Sequence, residues 1–173
     1  APSATQARNV GIHRVLSKPV SAPRLRQVLA EELGNERPAS HEQTEHQPDP
    51  GLRILVAEDH YLSQKVIRGM LGKLGLKADI ASNGREALEK ARDTRYDLVL
   101  MDCEMPEMDG FEATRKIREW EQGSGLPATP IVALTAHILK EHRDRSFAAG
   151  MNAHLPKPVE LNTLRETVVR YTQ

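Results

Sequence analysis

A lone cysteine, Cys103, is the chain's whole stock of thiols, which excludes an internal disulfide and a cysteine-rich zinc site and fits a reducing compartment. An excess of either charge is missing too. Lys+Arg and Asp+Glu both number 24, so no large basic field exists to attract a phosphate backbone, and nucleic acid is set aside as a direct partner. No apolar run approaches the roughly 18–20 residues needed to cross a bilayer, and the N-terminus has no signal-peptide core. The expectation is a cytoplasmic chain with no direct membrane contact, even if a longer parent is anchored in an inner membrane. What is present is ordinary for a globular protein: 39% hydrophobic and 28% charged residues, in 173 residues that hold one domain plus a remainder.

Composition changes near residue 50. Residues 34–50 read GNERPASHEQTEHQPDP, with almost nothing to bury, and are expected to form a flexible linker. From residue 51 on, short apolar runs alternate with amphipathic stretches. Strands are expected at Arg53–Ala57 and Lys77–Ala81 and over residues 97–101, 130–134 and 152–155. Between them, Val66, Ile67, Met70, Leu71 and Leu74 form one apolar helical stripe that Gly75 stops. Asn83 and Gly84 open a helix over 85–94 with Ala87, Leu88 and Ala91 inward, and further helices are expected over 111–120, 137–149 and 160–171. Five βα units in succession predict an α/β fold, an open doubly wound parallel sheet. Such sheets carry their functional groups at the carboxyl ends of the strands.

The chain repeats itself. Residues 11–28 read GIHRVLSKPVSAPRLRQV, and residues 150–167 read GMNAHLPKPVELNTLRET. Aligned without gaps, Gly11, Leu16, Lys18, Pro19, Val20, Leu25 and Arg26 meet Gly150, Leu155, Lys157, Pro158, Val159, Leu164 and Arg165. Residues 1–33 therefore read as the last strand and helix of a preceding, similar domain, the mark of a tandem array. Without a parent sheet, residues 11–33 are expected to be mobile, or at most a lone helix over 23–32.

Polar residues gather at the strand ends. Strand one leads into Glu58 and Asp59, strand three into Asp102, strand four into Thr135 and Ala136, and strand five into Lys157 and Pro158. Neighbouring strand ends would bring three carboxylates, a hydroxyl and an ammonium into one shallow pocket. Crowded carboxylates repel unless a cation shares the site, and an all-oxygen donor set with room for water and phosphate suits Mg²⁺. The assembly reads as phosphoryl-transfer machinery with a carboxylate nucleophile, the Lys and Thr contacting phosphoryl oxygens.

These residues, in the stretches ILVAEDHYLSQKVIRGMLGKLG, DLVLMDCEMPEMDGFEATRKIR, PIVALTA and HLPKP, closely resemble the response-regulator receiver (CheY-like) family over essentially all of 51–173. The resemblance implies a flavodoxin-like (βα)5 fold with strand order 2-1-3-4-5. It also implies Asp102 as phosphoacceptor, with Asp59, Asp102 and the backbone carbonyl of Glu104 holding Mg²⁺ and Glu58 acting mostly through water. Thr135 and Lys157 would hold the phosphoryl oxygens, and Thr135 with His154 would form the switch. The central stretch is most like bacterial hybrid sensor histidine kinases of the GacS, BarA or RetS kind. The implied partner is a histidine kinase or histidine phosphotransfer domain, docking on Leu62, Lys65, Val66, Gly69, Pro158 and Val159. On its own the chain would catalyse only its own phosphorylation.

Several positions depart from the family's pattern. His60 and Ser63 stand where relatives often carry Asn, Glu104 is an acid two residues beyond the phosphoacceptor, and His154 replaces the usual aromatic switch residue. Cys103 reads as a packing residue, and the seven His lack a ligand spacing. Three other readings compete. A non-phosphorylated pseudo-receiver would act purely as an interaction domain, yet the acids, Thr and Lys are all present. A haloacid-dehalogenase-type aspartyl phosphatase needs Asp-x-Asp after the first strand, and a flavin site would be repelled by the acidic pair; this chain has Glu58, Asp59, His60 and Tyr61 there.

Overall fold

The computed structural model of the protein describes residues 46–137 and 139–173. The expectations for residues 1–33, and for the linker as far as residue 45, lie outside the described residues. The compact unit is His46–Gln173, which starts before the expected boundary at residue 51, and Pro48 is already buried.

Its elements are β1 (Arg53–Ala57), α1 (Tyr61–Lys73), β2 (Lys77–Ala81), α2 (Gly84–Asp93), β3 (Leu98–Asp102), α3 (Gly110–Gly123), β4 (Ile131–Thr135), α4 (Lys140–Ala149), β5 (Ala153–Pro156) and α5 (Leu161–Thr172). The strands form one parallel sheet in the order β2-β1-β3-β4-β5, as the doubly wound reading requires. Alternate side chains leave opposite faces of a strand. Ile54, Val56, Leu98, Leu100, Val132, Leu134 and Leu155 therefore pack against Ile67 and Leu71 of α1 and Leu164 and Val168 of α5. Leu55, Ala57, Val99, Met101, Ile131 and Ala133 face Ala87, Leu88 and Ala91 of α2 and Phe111, Ala113 and Ile117 of α3. Each fully buried Leu or Ile in these layers contributes roughly 1.5–3 kcal/mol of transfer free energy.

Several element limits differ from expectation, each for a local reason. β3 starts one residue late because Asp97 is an anchor: its carboxylate accepts from the Arg53 N–H at 2.7 Å. β4 starts after Pro130, which has no N–H to donate, although its carbonyl accepts from Val99 N. β5 begins at Ala153 because Asn152 serves the start of β4, its side chain accepting from Ile131 N at 2.9 Å. α3 runs from Gly110, capped by the Asp109 carboxylate on Glu112 N, through Glu121, whose buried carboxylate takes Arg118 at 2.7 Å and Thr129 N at 2.8 Å. α4 starts only at Lys140, since Thr135 and His137 bond each other in a turn and Leu139 is extended. α5 begins one residue late, after an extended Glu160.

Val66 needs correction: it does not belong to the buried stripe of α1. Ile67, Leu71 and Leu74 are buried, while Val66, about 100° round the helix from Ile67, is exposed.

Candidate phosphoryl-transfer site

The short turn after β1 sets the first two acids. Glu58 is only 1% exposed, and its Oε1 accepts from His60 N at 3.0 Å; Asp59 beside it is exposed. β3 delivers Asp102, 5% exposed, at the centre of the sheet. Among the described residues, Glu58, Asp59 and Asp102 are the one group whose ligand atoms all lie close enough for a metal, within 4.8 Å of one another.

Lys157 joins the cluster from the β5–α5 turn, its backbone N–H held by the Thr135 carbonyl at 2.9 Å. Its Nζ lies 2.7 Å from Glu58 Oε2 and 2.8 Å from Asp102 Oδ2. Burial alone would pull this ammonium down, but the two carboxylates together hold it above its ordinary range, so it stays charged at neutral pH. Asp102 Oδ1 accepts from the Glu104 N–H at 3.2 Å. Both oxygens of Asp102 are thus oriented, one by an ammonium and one by a backbone amide.

Thr135, also buried, donates its hydroxyl to the His137 carbonyl at 2.9 Å. Beside Asp102 the β3–α3 loop turns tightly at Glu107, whose φ is 67°, with Met108 N bonded to the Pro106 carbonyl at 2.8 Å. Pro106, through that bond, and Gly110, whose N–H reaches the Cys103 carbonyl at 3.1 Å, shape the loop. Glu58, Asp59, Asp102, Glu104, Thr135 and Lys157 all line one open cleft of about 440 Å³, together with His60 and Ser63. Burial and the neighbouring Asp102 push the Cys103 thiol up to about 11, which makes it a packing group.

His154 lies apart from the cleft. It shares a second cavity of about 410 Å³ with Thr135, Arg143, Phe147 and Tyr171, and its ring meets Phe147 edge-on at 5.0 Å. Burial, then the Arg143 charge, hold its pKa below the ordinary 6.5. The fold thus favours the neutral ring, and stability is expected to fall as pH drops from 6.5 toward the lower folded value. Urea unfolding at pH 7.5 and pH 5.5 checks this. His154→Phe should narrow the difference between the two, and an unchanged difference refutes the assignment.

Of the expected partner residues, Leu62, Val66, Pro158 and Val159 come together around an apolar groove of about 240 Å³ beside the acidic cleft. Leu62 is 64% and Val66 52% exposed. Lys65 and Gly69 are exposed outside the groove, with Lys65 Nζ over the Tyr61 ring at 4.7 Å. Sequence reasoning missed Gln64, whose side chain reaches the Glu58 carbonyl at 2.6 Å. Its position in the first turn after the acidic pair gave no signal, because the partner is a backbone carbonyl.

A (βα)5 sheet whose strand ends bring three acids, a threonine and a lysine to one cleft is the architecture of a receiver-type signalling domain. The chain belongs to the response regulator receiver domain family, whose profile matches residues 54–169. Probable histidine kinase 2 of Oryza sativa subsp. indica is 38% identical over 138 residues, covering 72% of this chain and 13% of its own length. The sensor histidine kinase GacS of Pseudomonas protegens is 33% identical over 156 residues, covering 90% of this chain and 17% of its own. The chain thus spans under a fifth of each relative, and with a plant among them no bacterial origin is singled out.

Among solved structures, the receiver domain of the sensor histidine kinase PA1611 from Pseudomonas aeruginosa PAO1, with magnesium coordinated in its active site cleft, is 40% identical. It covers 70% of this chain and 98% of its own, with a TM-score of 0.65. The co-crystal of the Saccharomyces cerevisiae histidine phosphotransfer signaling protein Ypd1 with the Ssk1 receiver domain matches at 29% identity and a TM-score of 0.68, over 72% of this chain and 90% of that one.

Proposed function

We propose that residues 46–173 accept a phosphoryl group on Asp102 from a partner's phosphohistidine, with Mg²⁺, as one module of a longer hybrid histidine kinase. The observation that carries this is Asp102 itself: a buried carboxylate oriented by Lys157 and Glu104 N, beside two further acids. Phosphorus bonds to a carboxylate oxygen of Asp102 as its bond to the donor imidazole breaks, and the departing ring nitrogen keeps the electron pair. The Lys157 ammonium, freed from Asp102 by that bond, turns to the phosphoryl oxygens. The Thr135 hydroxyl exchanges the His137 carbonyl for one of those oxygens.

Glu58, Asp59, Asp102 and the Glu104 carbonyl would hold Mg²⁺, which when bound neutralises phosphoryl charge. The all-oxygen donor set and its spacing fit that ion. Intact mass should rise by one phosphoryl group on incubation with acetyl phosphate and Mg²⁺, and stay unchanged with a chelator. An unmodified mass in both would favour the pseudo-receiver.

The internal repeat supports reading residues 1–33 as the tail of a preceding receiver. The groove of Leu62, Val66, Pro158 and Val159 suits a helix that docks, exchanges phosphate and leaves. Val66→Asp is expected to slow transfer from a phosphorylated histidine phosphotransfer domain about tenfold or more, leaving acetyl phosphate labelling nearly unchanged. Equal loss with both donors would mean a folding defect, and no loss would move the docking face elsewhere.

A further inference from the structure

We infer that Gln64 is a positioning residue for the acidic pair, holding the Glu58–Asp59 peptide so that Asp59 faces the cleft. The inference rests on the reading that these acids hold a divalent cation. Three residues, Glu58, Asp59 and His60, connect the end of β1 to the start of α1. Glu58 N is still bonded to the Ala81 carbonyl at 3.0 Å, continuing the line of the sheet. The Glu58 carbonyl takes the Gln64 side-chain amide at 2.6 Å. The Glu58 carboxylate reaches forward to His60 N at 3.0 Å, and the His60 carbonyl accepts from Gln64 N at 3.0 Å. The turn is therefore closed from both ends, and Gln64 contributes a bond from its side chain and one from its backbone.

The middle residue of this turn is the exposed one, Asp59. A peptide unit is planar, so fixing the carbonyl of residue 58 fixes the N–H and Cα of residue 59 in the same plane. The direction in which the Asp59 carboxylate leaves the backbone then depends on that carbonyl, and the carbonyl depends on Gln64. Glutamine meets this need because its stem spans from the first turn of α1 to the strand end and it ends in a neutral donor. A carboxylate at the same place would face the carbonyl with an acceptor, and leucine would offer nothing.

The test separates geometry from charge. Mg²⁺ binding is measured by isothermal titration on the full chain and on its Gln64→Leu and Gln64→Glu variants. Backbone order at Asp59 and His60 is followed by amide relaxation without metal. Both variants should bind Mg²⁺ about tenfold more weakly than the unaltered chain, with Asp59 and His60 less ordered and the melting temperature little changed. Gln64→Glu is the sharper arm, because its added negative charge would by itself strengthen cation binding. Unchanged or tighter binding in Gln64→Glu overturns the inference, as does unchanged order at Asp59 in both variants. If the unaltered chain fails to bind Mg²⁺, the functional reading falls, and the order at Asp59 alone then decides for or against Gln64.

Discussion

Asp102→Asn is expected to abolish phosphoryl addition while leaving the fold intact. The substitution keeps the size and planarity of the side chain, at the end of a strand buried along its whole length. It removes the anionic oxygen that attacks phosphorus, and a carboxamide has no comparable nucleophile. It also disturbs the two contacts that orient the group. With its oxygen toward Lys157, where Oδ2 now lies at 2.8 Å, an asparagine turns its NH₂ toward the Glu104 N–H, donor against donor. Labelling by acetyl phosphate with Mg²⁺ should fall by at least about three orders of magnitude, a loss of roughly 4 kcal/mol or more in transition-state stabilisation. Intact mass and peptide mapping read the result directly. Retained labelling would move the acceptor to Glu58 or Asp59, the two other acids within reach.

A second large effect is expected at a residue with no side chain. Gly110 opens α3, and its N–H bonds the Cys103 carbonyl at 3.1 Å. A Cβ built there would collide with the Asp102 carbonyl oxygen and lie 3.0 Å from Met101 Cγ. The first obstacle is backbone of the central strand, which cannot rotate aside as a side chain would. Gly110→Ala should therefore cost roughly 3 kcal/mol or more of stability, at the upper end for overpacking. Gly72→Ala is the internal control. It lies within α1 with nothing within 4 Å of the added carbon, and should stabilise by about 0.5–1 kcal/mol. Urea titration of both variants measures the contrast, and a neutral Gly110→Ala would show that β3 yields more readily than its burial implies.

Most of the fold was legible because the three inner strands are covered on both faces and so read as continuous apolar runs. The acids and Thr135 were legible because they follow those runs directly, and Lys157 because its Lys-Pro pair recurs at Lys18 and Pro19. Limits slipped where a polar residue does something other than lie in its strand or helix: Asp97 anchors Arg53, and Asn152 serves the first residue of β4. The late start of α4 is of the same kind, since the turn of Thr135 and His137 cannot be foreseen from periodicity. Val66 was misjudged because adjacent apolar residues on a helix differ by a wide angle, and only packing decides which faces inward. Gln64 was illegible for the opposite reason. A glutamine on a first turn is ordinarily solvated, and its partner is a backbone carbonyl that no side-chain pattern reveals.

The burial of β3 on both faces has a mechanical consequence. Asp102 ends a central strand buried along its whole length, with β1 and β4 as lateral braces and helices above and below. Charge added there would press on a strand packed on both faces and paired on both edges. If Asp102 is phosphorylated as proposed, the groups free to respond are those of the exposed rim, Glu104, Ala136 and His137. Loading and amplitude are thereby separable: altering the rim should change the reach of the signal without changing the ease with which the anvil beneath it is struck.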